Sequence, residues 1–134
     1  MHEWALAEAI IDAAVNVAAK ENASKITEIV IVLGELQTID RDILETALNE
    51  LKKETIASEA QIVFEDEKIG LKCNVCGFKW SIDDLGKILD ESQVESVHFI
   101  PELIHVFIKC PKCGKSDFEI TSGRGVYVKS IRVE

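Results

Sequence analysis

Four cysteines fall in two matched pairs, Cys73-Asn-Val-Cys76-Gly77 and Cys110-Pro-Lys-Cys113-Gly114. Two intervening residues let both thiolates of a pair turn toward one cation, and the glycine that follows tolerates the tight backbone this needs. Four thiolates complete a tetrahedral Zn(II) shell and leave no position for water, so such a site is structural and not catalytic. A redox dithiol needs only one pair, and a matched second pair counts against it. Thiolate spacing alone does not choose between zinc and iron. Few aromatics flank the pairs beyond Phe78 and Trp80, and Zn(II) is the expected metal.

A second donor set opens the chain at Met1-His2-Glu3. The α-amine of Met1 and the amide nitrogen of His2 close a five-membered chelate ring. The His2 imidazole closes a six-membered ring onto the same amide nitrogen, and Glu3 adds an amide nitrogen or a carboxylate. Planar, nitrogen-rich coordination suits Ni(II) or Cu(II) better than zinc or magnesium. A bulky second residue hinders removal of the initiator, so Met1 is expected to stay. Amine and imidazole bind only when deprotonated, so affinity should fall as pH drops through roughly 8 to 6. The plainer reading of the dipeptide alone is an incidental exposed histidine beside a helix start.

These groups need elements to hold them. Residues 4–21 place Leu6, Ile10, Ala13, Ala14 and Val17 at three- and four-residue steps, which predicts a helix with one apolar stripe. The unbroken apolar run Ile29 to Leu33 suits a central strand covered on both faces, and Gly34 punctuates it. "DRDILETALNELKK" reads as a second helix, with Asp42 and Glu45 as its capping box and Leu44, Leu48 and Leu51 on one face. "AQIVFEDEKIGLKC" carries strand-like alternation, and "GVYVKSIRVE" closes the chain as a loosely amphipathic strand. Between the cysteine pairs, the sequence predicts a short helix at 82–89. An apolar strand follows, in which Leu103, His105 and Phe107 alternate with Ile104, Val106 and Ile108. His98 precedes the turn at Pro101.

The expected fold class is α+β, a small sheet covered by two helices with an inserted zinc-ribbon-like domain. Residues 1–66 plus 121–134 would form a discontinuous α/β domain, and residues 67–120 the zinc-binding domain. Edge pairing of the loose closing strand, or swapping of helix 1, would allow a homo-oligomer.

The chain has 134 residues, 47% hydrophobic and 29% charged, enough for a modest core. No apolar run approaches the roughly 18 residues of a membrane span. Glu3, Glu8 and Asp12 spoil a signal-peptide reading, so a cytoplasmic protein with reduced thiols is expected. A net charge of −9 argues against a general nucleic-acid binder. Lys72, Lys79, Lys109, Lys112 and Lys115 lie near the cysteines, and they sustain the alternative of a zinc-ribbon module binding nucleic acid or a transcription protein. That alternative leaves Met1-His2-Glu3 unexplained. No Ser/His/Asp set, P-loop or Gly-rich nucleotide fingerprint occurs, so an enzyme is not expected. The acidic stretch 81–102 reads as a solvated face, with docking of a basic partner as the alternative.

Taken together, "MHEWALAEAI", "VIVLGEL", the paired knuckles and "GRGVYVKSIRVE" make the whole chain resemble the HypA family of hydrogenase-maturation nickel metallochaperones. The resemblance implies Ni(II) as transient cargo held by Met1, His2 and Glu3, and structural Zn(II) held by Cys73, Cys76, Cys110 and Cys113. It implies the GTPase HypB and the large subunit of [NiFe]-hydrogenase as partners. Many relatives have a much shorter segment between the knuckles. The longer one here carries His98, a candidate fourth nitrogen ligand beside His2.

Overall fold

The structure is a computed structural model, and it describes residues 2–134. Its described elements run α1 (Glu3–Lys20), β1 (Ile26–Gly34), α2 (Arg41–Leu51), β2 (Gln61–Glu67), β3 (Ile69–Cys73), β4 (Lys79–Ile82), α3 (Glu91–Phe99), α4 (Ile104–Phe107), β5 (Phe118–Ser122) and β6 (Val126–Val133). Single 3-10 turns sit at Leu85–Lys87 and Pro101–Leu103. The strands form two sheets of three, ordered β2-β1-β6 and β4-β3-β5. The fold is thus α+β, as expected. The chain divides into two compact units, one of residues 1–32, 39–65 and 127–134, the other of residues 33–38 and 66–126.

In the first unit α1 and α2 pack together. The buried face of α1 is Ala7, Ile10, Ile11, Ala14 and Ala18, a seven- and eleven-residue repeat of one stripe. This is rotated from the expected stripe: Val17 is half-exposed, and the small alanines take the inner positions, where they permit close helix approach. The helix ends as Asn22 turns left-handed (φ 55°), and the amide of Ala23 donates to the Ala18 carbonyl at 3.0 Å. α2 is capped by Asp40, whose carboxylate accepts from the Ile43 amide at 3.1 Å. The expected Asp42 cap is corrected here: Asp42 lies one residue inside the helix, in its first turn. Strand β1 is buried continuously from Ile29 to Leu33, as its apolar run requires. Along β6 the half-buried positions are Val126, Val128, Ile131 and Val133, so the alternation slips by one residue at Lys129–Ser130.

The second unit has its own core, in which Leu36, Ile69, Leu71, Leu85, Val97, Ile104 and Phe118 are buried together. Leu36 belongs to the short segment after β1. That segment is fixed by the Glu35 amide donating to the Glu67 carbonyl at 3.0 Å and the Leu36 amide donating to the Gly123 carbonyl at 2.9 Å. The backbone approach there is close: a Cβ on Gly34 would stand 2.2 Å from the Gly123 carbonyl oxygen.

Between the knuckles the structure replaces the expected strand with helices. α3 opens on a capping box, with the Asp90 carboxylate accepting from the Gln93 amide at 2.8 Å and the Gln93 side chain accepting from the Asp90 amide at 3.1 Å. Pro101 then begins a 3-10 turn that runs into α4. The apolar run 103–108 satisfies a helical period as well as an alternating one. Burial of Ile104 and Ile108, four residues apart, shows which one prevails. The expected helix at 82–89 shrinks to the 3-10 turn at Leu85–Lys87.

Candidate metal centre

Strand β3 runs directly into the first knuckle, and β5 leaves shortly after the second. Cys73 on β3 is registered opposite Phe118 on β5, which sets the two knuckles side by side at one end of the sheet. The knuckles repeat each other bond for bond. In each, the first cysteine's amide donates to a carbonyl five residues on, Cys73 to Phe78 at 2.8 Å and Cys110 to Lys115 at 2.9 Å. In each, the glycine amide donates back to the first cysteine's carbonyl, at 3.0 Å for Gly77 and 2.9 Å for Gly114. Both glycines have φ 77°, the left-handed conformation that lets the chain turn so tightly. Asn74 ties one knuckle to the segment after the other: its amide donates to the Asp117 carbonyl at 2.9 Å, and its side-chain nitrogen to the Asp117 carboxylate at 3.0 Å.

As a result the four sulfurs lie within 4.8 Å of one another. The Sγ atoms of Cys73 and Cys113 are 3.5 Å apart, and those of Cys76 and Cys110 3.6 Å. These separations are far beyond a disulfide bond of about 2.05 Å. They approach the roughly 3.8 Å edge of a tetrahedron whose centre is a Zn(II) ion at about 2.3 Å from each sulfur. Cys73 and Cys110 are buried, whereas Cys76 and Cys113 lie nearer the surface.

The protonation chemistry also fits a cation. The Cys76 amide, at 3.5 Å from the Cys73 sulfur, is the main influence lowering that thiol's pKa to about 6. The amide of Lys115 pulls Cys113 down too, but burial and the neighbouring sulfurs of Cys73, Cys110 and Cys76 outweigh it and push Cys113 up to about 11. Four sulfurs this close cannot all be anions unless a positive charge sits among them. A divalent ion supplies that charge, and the donor set is all thiolate, which suits zinc. When bound, such an ion crosslinks the knuckles.

The aromatic residues beside the knuckles are structural. Trp80 packs edge-on to Phe118 at 5.4 Å, and the His105 ring stacks on Phe118 at 4.2 Å. His105 is therefore a helix residue, not the strand residue expected; its Nδ1 lies 2.9 Å from the Ser116 carbonyl oxygen.

Of the expected nickel donors, Met1 lies outside the described residues. His2 is exposed at the N-cap of α1, and its side chain makes no capping bond; its carbonyl accepts from the Leu6 amide at 3.0 Å. Glu3 is the first residue of the helix. His98 lies in the last turn of α3, half-buried, with Nε2 3.0 Å from the Glu35 carbonyl oxygen. His2 and His98 belong to different compact units. Nothing in the sequence singles out Glu35, since a glutamate after a strand carries no signal of the contacts its backbone will make.

Fold and site together define a small α+β protein with a four-thiolate centre, a class suited to holding metal. A family model described as hydrogenase/urease nickel incorporation, metallochaperone, hypA, matches residues 1–133. Over its full length the chain is 51% identical to the hydrogenase maturation factor HypA of Pyrococcus horikoshii, covering 96% of that protein. It is 28% identical to the factor of the same name from Aquifex aeolicus, covering 98% of it. The solution structure of the Ni metallochaperone HypA from Helicobacter pylori matches with a TM-score of 0.66 at 22% identity, covering 99% of this chain and 97% of that one, and so shares its fold. The chain belongs to the HypA family of nickel metallochaperones, which serve hydrogenase and urease maturation. Among the described residues no helix is long and apolar enough to cross a membrane.

Proposed function

We propose that this chain takes up Ni(II) in the cytoplasm, holds it transiently, and passes it on to the large subunit of a [NiFe]-hydrogenase together with the GTPase HypB. The Met1 amine, the His2 amide nitrogen and the His2 imidazole grip the ion, with Glu3 and His98 completing the set. Cys73, Cys76, Cys110 and Cys113 hold structural Zn(II). Residues 1–66 plus 121–134 act as the nickel-binding domain, and residues 67–120 as the zinc-binding domain. The protein acts by binding and release, without catalytic turnover.

The observation that carries this reading is the N-cap of α1. N-caps are usually occupied by Ser, Thr, Asp or Asn, whose side chains satisfy an orphan amide. Here the position is given to an exposed histidine that satisfies none. An exposed imidazole that caps no amide of the helix, one residue from the Met1 amine, is free to chelate. Exposed ligands exchange stepwise, which handover requires and a caged site hinders. Affinity order favours copper over nickel, so selectivity would rest on planar nitrogen-rich geometry.

Calorimetric titration with Ni(II) tests the chelate, comparing protein that starts at Met1 with protein carrying one extra residue before it. The extension removes the amine from ring-closing distance and should weaken binding by at least tenfold. Equal affinities would end the terminal-chelate model.

A further inference from the structure

We infer that the backbone carbonyl of Glu35 fixes His98 in the tautomer protonated at Nε2, so that Nδ1 is the nitrogen His98 offers to a metal. The inference deepens the proposed nickel role of His98 and rests on that reading for its functional meaning. A neutral imidazole donates from one nitrogen and accepts at the other. A carbonyl oxygen can only accept. The 3.0 Å contact between Nε2 and the Glu35 oxygen therefore places the proton on Nε2 and the lone pair on Nδ1.

Glu35 is well placed to impose this, because its other polar groups are also committed. Its amide donates to the Glu67 carbonyl at 3.0 Å, and its carboxylate accepts from the Leu85 amide at 3.3 Å. The next residue, Leu36, is anchored in the same core as Val97, the residue before His98. The carbonyl that receives Nε2–H is thus held from both sides, and so is the helix that delivers the ring. Metal-binding histidines usually donate their second nitrogen to a carbonyl or carboxylate, which orients the ring and raises its basicity. Glu35 would be a positioning residue in that sense.

His105 supplies an internal reference. Its Nδ1, not its Nε2, lies against a carbonyl, that of Ser116 at 2.9 Å. The two rings should therefore carry opposite tautomers in one molecule.

Long-range proton–nitrogen NMR on uniformly 15N-labelled, zinc-loaded protein, at a pH above the ordinary imidazole range, reads both tautomers directly. The expected spectrum has His98 with a protonated Nε2 and a pyridine-like Nδ1, and His105 with the reverse. One equivalent of Ni(II) should then shift or broaden the His98 Nδ1 signal and leave His105 in place. A His98 ring protonated at Nδ1, or averaged between tautomers, would overturn the inference. A pyridine-like Nδ1 that Ni(II) leaves unmoved would keep the tautomer and remove His98 from the nickel set, so the two failures are distinguishable.

Discussion

The sulfur of Cys73 lies 3.5 Å from that of Cys113, a residue 40 positions later in the chain. A metal between them would therefore crosslink two distant segments, and Cys73 anchors the end of β3 while Cys113 sits just before β5. Cys113→Ser should weaken Zn(II) retention and lower the melting of the thiol-bearing unit. A loss of roughly 3 kcal/mol, typical of a broken metal site, would move a unit of this size by about 12–24 °C. Trp80 packs beside the site, so near-ultraviolet circular dichroism during heating, with bound zinc measured by atomic emission, checks both effects. Retained zinc and an unchanged transition would show that the site does not depend on Cys113.

Zinc uptake should be linked to proton release with a definite pH trend. Metal binding requires all four thiolates, so each proton displaced makes affinity rise with pH. In the metal-free protein the Cys73 thiol, lowered to about 6, is already ionised near neutrality, while Cys113, raised to about 11, is not. Loading at pH 8 therefore releases fewer protons than loading at pH 5, where Cys73 must also give up its own. Calorimetry in buffers of different ionisation enthalpy counts them. A count that stays level between those two values would contradict the assignment for Cys73.

His2→Ala should reduce Ni(II) affinity by at least tenfold while leaving the melting temperature within about 2 °C, because the side chain caps nothing and is exposed. Titration with Ni(II) beside differential scanning calorimetry separates the two readouts. A large stability loss would mean the imidazole has a structural job after all.

Gly34→Ala should be costly. The added Cβ would stand 2.2 Å from the Gly123 carbonyl oxygen, which is backbone and cannot swing aside. Gly123 is itself left-handed (φ 86°) and closely surrounded, since a Cβ built on it would stand 2.8 Å from the Lys68 carbonyl oxygen. A destabilisation of roughly 3 kcal/mol is expected from urea unfolding. A loss below 1 kcal/mol would show that this crossing relaxes easily.

Asp40→Ala should cost about 1 kcal/mol, the ordinary value of a helix N-cap, whereas Asp42→Ala should cost only a few tenths. Chemical denaturation of the two variants side by side tests which aspartate caps α2. Equal losses would return Asp42 to the role its spacing suggested.

That comparison illustrates where sequence was informative. The cysteine spacing is a local signal, since two intervening residues suffice to aim both thiolates, and the structure brings those four sulfurs together. The apolar run of β1 was equally legible, because continuous burial demands continuous hydrophobicity. The segment 103–108 was not, for it is apolar at every candidate inward position and either period fits. Asp90 and Gln93 carried the missing signal: a capping box starts α3 and, with Pro101, commits the following stretch to helical turns. The α1 stripe is offset from its apparent pattern because alanine reads as neutral, yet Ala7, Ala14 and Ala18 are buried. Contacts such as Glu35 with His98 join residues 63 apart through one side chain and a backbone carbonyl, which no residue type advertises.

Strand β6 has a consequence for synthesis. It completes the β2-β1-β6 sheet, and the Ser24 hydroxyl reaches the Glu134 carbonyl at 3.2 Å across 110 residues. On the ribosome, β1 emerges early and must wait with one edge bare until nearly the whole chain has followed. The thiol-bearing sheet must wait as well, since its strand β5 ends only a few residues before β6 begins. The nascent protein therefore closes both sheets late and nearly together, once β5 and β6 have emerged.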